Sequence, residues 1–225
     1  MPRRLRCADG GLVYHVLNRA VGRATLFRKA ADYAAFEEIL RQARERFGMR
    51  LLAYIAMPNH WHMVVWPEHD GDLTTYLQWL TVTHVRRWHA HYHTAGTGPI
   101  YQGRFKSFPI QKGEHFLTVC RYVERNALRA NLVKRAETWR WSSLWHRLQE
   151  TNVPWLTPWP VAVPEGWSDY VNLPETEGEL AALRRSVVRG APYGGSAWQQ
   201  RTAERLGLQS ALRDRGRPLR DDRDK

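Results

Sequence analysis

The sequence predicts an α+β fold: a ferredoxin-like β-α-β-β-α-β core followed by a tyrosine-bearing helix within residues 1–150, then a small C-terminal helical extension. Three observations carry this. Apolar spacing switches between a period of two and a period of 3.6 in that order along the chain. Two apolar runs are separated only by Pro58-Asn59, the signature of a hairpin. After Trp139 the composition turns rich in Trp and then Pro, which ends the regular pattern.

Taken in order, residues 11–18 alternate as a strand, and residues 30–47 carry a helical stripe at Tyr33, Phe36, Ile39, Leu40, Ala43 and Phe47. Gly48 marks the helix stop. Residues 49–56 and 60–66 are the paired strands. The next helix spans 72–91, with Leu73, Tyr76, Leu77, Leu80, Val85 and Trp88 as its buried side, and Gly96-Thr97-Gly98-Pro99 breaks it. A strand is predicted over 104–111 and a helix over 113–129. Pro154, Pro158, Pro160, Pro164 and Pro174 make residues 151–174 poor helix or central strand, so they read as a Trp-anchored strap laid across the first domain. Residues 175–188 and 196–206 form two short helices of the extension 175–225, and the mixed-charge tail from Arg213 is expected to be disordered.

With 225 residues the chain has room for one sizeable domain and an appendage. Its formal charge is +12 and its sequence pI about 10.2, which points to a polyanionic partner. The charge is uneven. Residues 1–150 hold 23 Lys and Arg against 12 Asp and Glu, and residues 101–135 alone hold 8 against 2. Cys7 and Cys120 are the only cysteines and form no CxxC pattern, so a disulfide framework is disfavoured and a reducing cytoplasm fits. No long apolar run or signal-peptide core appears in the sequence, so a soluble, unexported protein without membrane contact is expected.

The chemistry concentrates in two places. In His60-Trp61-His62 a strand period puts both imidazoles on one face, while Trp61, Met63 and Val65 face the other way. Two imidazoles leave a metal site incomplete. On the later helix, Tyr122 and Asn126 stand at i and i+4, and the stripe Phe116, Cys120, Val123, Ala127 leaves them on a polar face with Arg129. A phenol, an amide oxygen and two imidazoles around an ion are the groups needed to polarise a phosphodiester and attack it. Such a site would suit Mg²⁺ or Mn²⁺, and ligand softness alone also permits Zn²⁺ or Co²⁺. His89, His91 and His93 lie near a helix end with no accompanying carboxylate motif and read as a solvated end. His15, His84, His115 and His146 read as ordinary polar positions. No P-loop, GxGxxG or Ser/His/Asp arrangement appears.

His-Trp-His resembles the His-hydrophobic-His motif of the HUH single-strand nucleases, and Tyr-x-x-x-Asn resembles the nucleophile helix of their single-tyrosine branch. Within that branch, four segments in the same order resemble the REP-associated tyrosine transposases: Leu17-Asn18-Arg19, residues 57–62, residues 102–107 and residues 122–130. The resemblance implies an HUH nuclease core over residues 1–150 and a metal held by His60, His62 and Asn126. It implies attack by Tyr122 to give a 5′-phosphotyrosine and a free 3′-OH, and a substrate of single-stranded or hairpin DNA from repetitive extragenic palindromes. This branch is expected to act as a monomer, whereas mobile-element relatives exchange tyrosine helices between subunits, so a homodimer stays open.

For the DNA backbone the candidate contacts are Arg19, Arg104, Lys106, Arg125 and Arg129, with Trp61 or Tyr101 as groups on which a base could stack. Arg184, Arg185, Arg189, Arg201 and Arg205 decorate the two C-terminal helices and extend the expectation to that segment. Two other readings stay open: a non-enzymatic, sequence-specific DNA-binding regulator with a vestigial site, and a zinc hydrolase that uses His60, His62, a further histidine and a water nucleophile.

Overall fold

The computed structural model describes residues 8–149 and 153–213. Its sheet grows from β1 (Val13–Arg19), whose first six residues are all buried because both faces are covered. β2 (Arg50–Met57) and β3 (His60–Trp66) form the hairpin, and β4 (Lys106–Ile110) completes an antiparallel sheet of order β2-β3-β1-β4. This is the ferredoxin-like arrangement. α1 (Ala30–Phe47) and α2 (Asp72–Tyr92) pack on each other and cover one face, burying Tyr14, Val16, Trp61, Met63 and Val65 against Phe36, Leu40, Tyr76 and Leu80. α1 ends at Gly48, whose φ of 64° is the left-handed conformation its residue type accepts at low cost.

The opposite face carries Val13, Ile55, Val64, Phe108 and Ile110, and α3 (Glu114–Glu124) covers it with Phe116, Val119, Cys120 and Val123. Most boundaries shift by one or two residues, and two of the differences bear on the site. β4 begins at Lys106, so Arg104 sits in the preceding bend. The helix expected over 113–129 is interrupted at Arg125, after which one further turn, α4 (Asn126–Arg129), carries Asn126.

The Trp-rich stretch explains how the exposed edge of β2 is closed. Ala56 N–H donates to the Trp141 carbonyl and Thr157 N–H to that of Leu51, while the indole N–H groups of Trp139 and Trp159 donate to the carbonyls of Ala56 and Leu52. The strap thus satisfies polar groups that a free edge would leave open. Within this region two short helices form that the sequence did not predict, α5 (Ser143–Leu148) and, where the proline content had argued against helix, α6 (Trp167–Asn172). α5 fits between strap contacts because Ser142 caps it, accepting from Trp145 N–H.

The other edge is closed by the extension. α7 (Glu177–Arg189) packs on β4 through Leu180 and Leu183, and Tyr193 then exchanges backbone bonds with Pro109 and Gln111, 2.9 Å each. Pro109 is tolerated because it lies on the outermost strand. α8 (Ser196–Arg205) follows where Gly194 admits Trp198, since a Cβ there would lie 2.5 Å from the indole. α9 (Gln209–Leu212) ends the described chain. The expected disordered tail falls almost wholly on residues 214–225, outside the described residues, and Cys7 is outside them too. Among the described residues no helix is long and apolar enough to cross a membrane.

Candidate active site

Leu17 stands opposite His62 and Arg19 opposite His60 across the β1–β3 pair, so these side chains share the face that looks toward α3. The two imidazoles have ring centroids 5.0 Å apart and are only 8% and 5% exposed. α3 lays Tyr122 edge-on against His62, 5.8 Å between ring centroids. One turn later Asn126 lines the same space as His60. The Arg129 guanidinium lies over the Tyr122 ring, 4.2 Å from its centroid.

These groups line a cleft of about 560 Å³. Arg19, Arg104 and Lys106 join Arg129 around it, and Val187 and Val188 of α7 complete the lining. The arrangement therefore brings His60, His62, Tyr122 and Asn126 together under four cationic side chains.

The ionisation states follow from burial. Desolvation lowers the pKa of His60 to about 4, with Arg19 adding to it, and drives His62 well below the ordinary 6.5, with His15 and His60 as smaller contributors. Both are neutral imidazoles at pH 7, the form that binds metal. Each has its Nδ1 engaged: that of His60 is 2.6 Å from Asn59 Oδ1, and that of His62 is 2.9 Å from His15 Nε2. Each keeps Nε2 for a ligand. Two such nitrogens and the Asn126 amide fit a divalent ion that takes its other donors from phosphate oxygens and water. No cluster of three His, Cys, Asp or Glu donors occurs among the described residues, so an ion here depends on the amide and on those oxygens.

Arg125 does not reach the cleft. Its guanidinium donates to the carbonyls of Val171 and Asn172 and pairs with Glu175 at 3.1 Å, because it lies one turn after Arg121 on the stripe that faces the end of α6. The proposed stacking groups are also unavailable in this structure. Trp61 is fully buried on the far face with its indole N–H on Tyr101 Oη, and Tyr101 is 6% exposed and hydrogen-bonded to His84 as well. Of the C-terminal arginines, Arg185 and Arg189 donate to carbonyls of Leu212, Ala211 and Ser210, tying α7 to α9.

Sequence reasoning missed His15. It lies on the central strand with no exposure, bonded to His62, and its signal was a lone histidine at the odd β1 positions that precede Leu17 and Arg19.

Comparisons with known proteins bear on the fold and the family. A solved REP-associated tyrosine transposase bound to a REP hairpin shares the fold, with a TM-score of 0.55 at 16% identity over 73% of this chain and 94% of that one. A putative transposase from Deinococcus radiodurans R1 is 18% identical over 55% of this chain and 96% of its own, with a TM-score of 0.39. No match was found among curated proteins. Residues 10–126, more than half of the chain, match the family model described as Transposase IS200 like. These residues run from the start of β1 to the amide beside the phenol, and the chain belongs to the family of IS200-like transposases.

Proposed function

We propose that this protein is a metal-dependent single-strand DNA endonuclease and strand transferase that acts on hairpin DNA of the REP type. The observation that carries the proposal is the meeting of Tyr122, His60, His62 and Asn126 in one basic cleft. The Tyr122 oxygen forms a bond to the scissile phosphorus as its proton passes to solvent, and the P–O3′ bond breaks with the leaving O3′ taking up a proton from solvent. The product is a 5′-phosphotyrosine and a free 3′-OH, whose return attack rejoins the strand without ATP. Arg129, held against the ring that gains negative charge, stabilises the attacking oxygen electrostatically. His60, His62 and Asn126 would hold Mg²⁺ or Mn²⁺, which supplies Lewis-acid polarisation of the phosphate.

Arg19, Arg104 and Lys106 bind the phosphates flanking the scissile one, and Arg184, Arg201 and Arg205, all exposed on α7 and α8, extend that contact. The protein acts as a monomer or a homodimer; its C-terminal extension over β4 favours the monomer.

The test is a hairpin oligonucleotide labelled at its 3′ end, incubated with Mg²⁺ or Mn²⁺ and resolved under denaturing conditions. Wild type should give a labelled covalent adduct. Tyr122→Phe, which removes one oxygen, should give none while retaining hairpin affinity within about two-fold, because that affinity rests on phosphate contacts. Cleavage by Tyr122→Phe would make water the nucleophile and favour the zinc-hydrolase reading; no cleavage by wild type on any hairpin would leave a DNA-binding regulator.

A further inference from the structure

His15 is a polar ring at the centre of an apolar sheet, and burying it costs free energy unless its nitrogens are used. One is used: Nε2 lies 2.9 Å from His62 Nδ1. The contact follows from the register, since Leu17 faces His62 across the β1–β3 pair and His15 is the diagonal neighbour on the same face. Phe108 of β4 fixes the ring from its other side, 4.8 Å between centroids. Nδ1 of His15 has no partner among the described residues. A phenylalanine would fill the same space and strand no nitrogen, so packing alone does not explain a histidine here.

We propose that His15 is a positioning residue that accepts the Nδ1 proton of His62, holding that imidazole as an Nε2 donor aimed into the catalytic cleft. The proposal rests on the metal-dependent reading given above. It follows from proton counting: one hydrogen lies between the two rings, and with it on His62 Nδ1 the Nε2 of His62 carries a lone pair. The reverse tautomer would protonate Nε2 and prevent it from ligating. His60 has the matching arrangement, with Asn59 Oδ1 accepting from its Nδ1 at 2.6 Å. Such partners orient ligands and raise their basicity, and losing one weakens metal affinity by about 10–100-fold.

The test is Mn²⁺ binding to the full chain without DNA, read from the electron paramagnetic resonance of free Mn²⁺, with the visible absorption of the Co²⁺-loaded protein as a second readout. His15→Phe keeps a ring against Phe108 and removes the acceptor; binding about 10–100-fold weaker than wild type, with an altered Co²⁺ band, is expected. His15→Gln, whose amide oxygen stands near the place of Nε2, should recover most of the affinity. Should His15→Phe fail to fold, His15→Asn, too short to reach His62, replaces it against His15→Gln. Wild-type affinity in the Phe variant, or equal affinity in Asn and Gln, overturns the proposal. Loss as complete as in His62→Ala overturns it too, by making His15 a ligand itself. Failure of the underlying reading looks different: wild type would bind no Mn²⁺ or would cleave fully in chelator.

Discussion

Arg129 carries two bonds of different purpose. Its guanidinium covers the Tyr122 ring at 4.2 Å and also pairs with Glu175 at 2.7 Å, so the charge beside the phenol is held by a carboxylate from the C-terminal segment. Arg125, one turn earlier, touches only strap carbonyls and the same Glu175. The two arginines should therefore separate in kinetics. Arg129→Gln should slow adduct formation by about 10–100-fold, the equivalent of about 1.4–2.7 kcal/mol in the barrier, with hairpin affinity changed little. Arg125→Gln should leave the single-turnover cleavage rate near wild type and lower the unfolding midpoint. Equal rate losses in both would remove the special role of Arg129. At this scale the pair His60 and His62 was legible from the period of its strand, and the pair Tyr122 and Asn126 because the helical spacing of α3 runs on through Arg125 into α4. His15 was not, since its partner lies 47 residues away and depends on the register of β1 against β3. Arg125 was misplaced because its partners Val171, Asn172 and Glu175 lie in a much later segment whose packing the helix period does not reveal.

An arginine ladder ties α3 and α4 to α6 and α7. Arg121, Arg125 and Arg129 project from α3 and α4 at intervals of four and grip the end of α6 and the chain after it, donating to carbonyls of Val171, Asn172, Leu173 and Pro174 and pairing with Glu175 and Glu179. The α6 carbonyls at the centre are those a helix leaves unpaired at its C-terminus, where cations are favoured. Glu175 is the hub, with a side chain 2% exposed between two guanidinium groups. Glu175→Gln keeps its size and removes its charge, leaving two arginines, 13% and 24% exposed, without a counter-ion. It should cost about 2–4 kcal/mol, below the upper range for a fully buried pair because Arg129 is 24% exposed. Urea unfolding measures this directly, and a loss under about 0.5 kcal/mol would reduce the ladder to surface pairing. The strands and the two long helices were readable from apolar period. The short helices α5 and α6 were not, because at six residues each they are stabilised by tertiary partners and not by their own sequence.

Across the whole molecule, the fold buries an unusual set of neutral histidines. His15 is lowered to about 3, His60 and His84 to about 4, and His62 well below 6.5, in each case first by desolvation. Because each folded pKa lies below the ordinary value, the unfolded chain takes up these protons first as pH falls. Their contribution to stability is whole above pH 6.5 and is lost progressively as pH drops toward about 4. Glu124 acts in the opposite sense, since burial raises its pKa and the folded state takes up its proton first. Four groups against one leave a net loss. Metal-free protein should therefore show unfolding free energies that decline between pH 7 and 5, with each histidine adding at most about 1.4 kcal/mol per pH unit. His84 isolates the effect from the cleft, because it sits on the far face, stacked on Phe27 and bonded to Tyr101 Oη. His84→Gln keeps a polar partner for that hydroxyl and cannot titrate. Its stability profile between pH 6.5 and 4.5 should be shallower than wild type by about one proton, with adduct formation at pH 7.5 unchanged. Parallel profiles for the two proteins would mean that His84 is protonated in the folded state at these pH values, and that its burial contributes nothing to acid sensitivity.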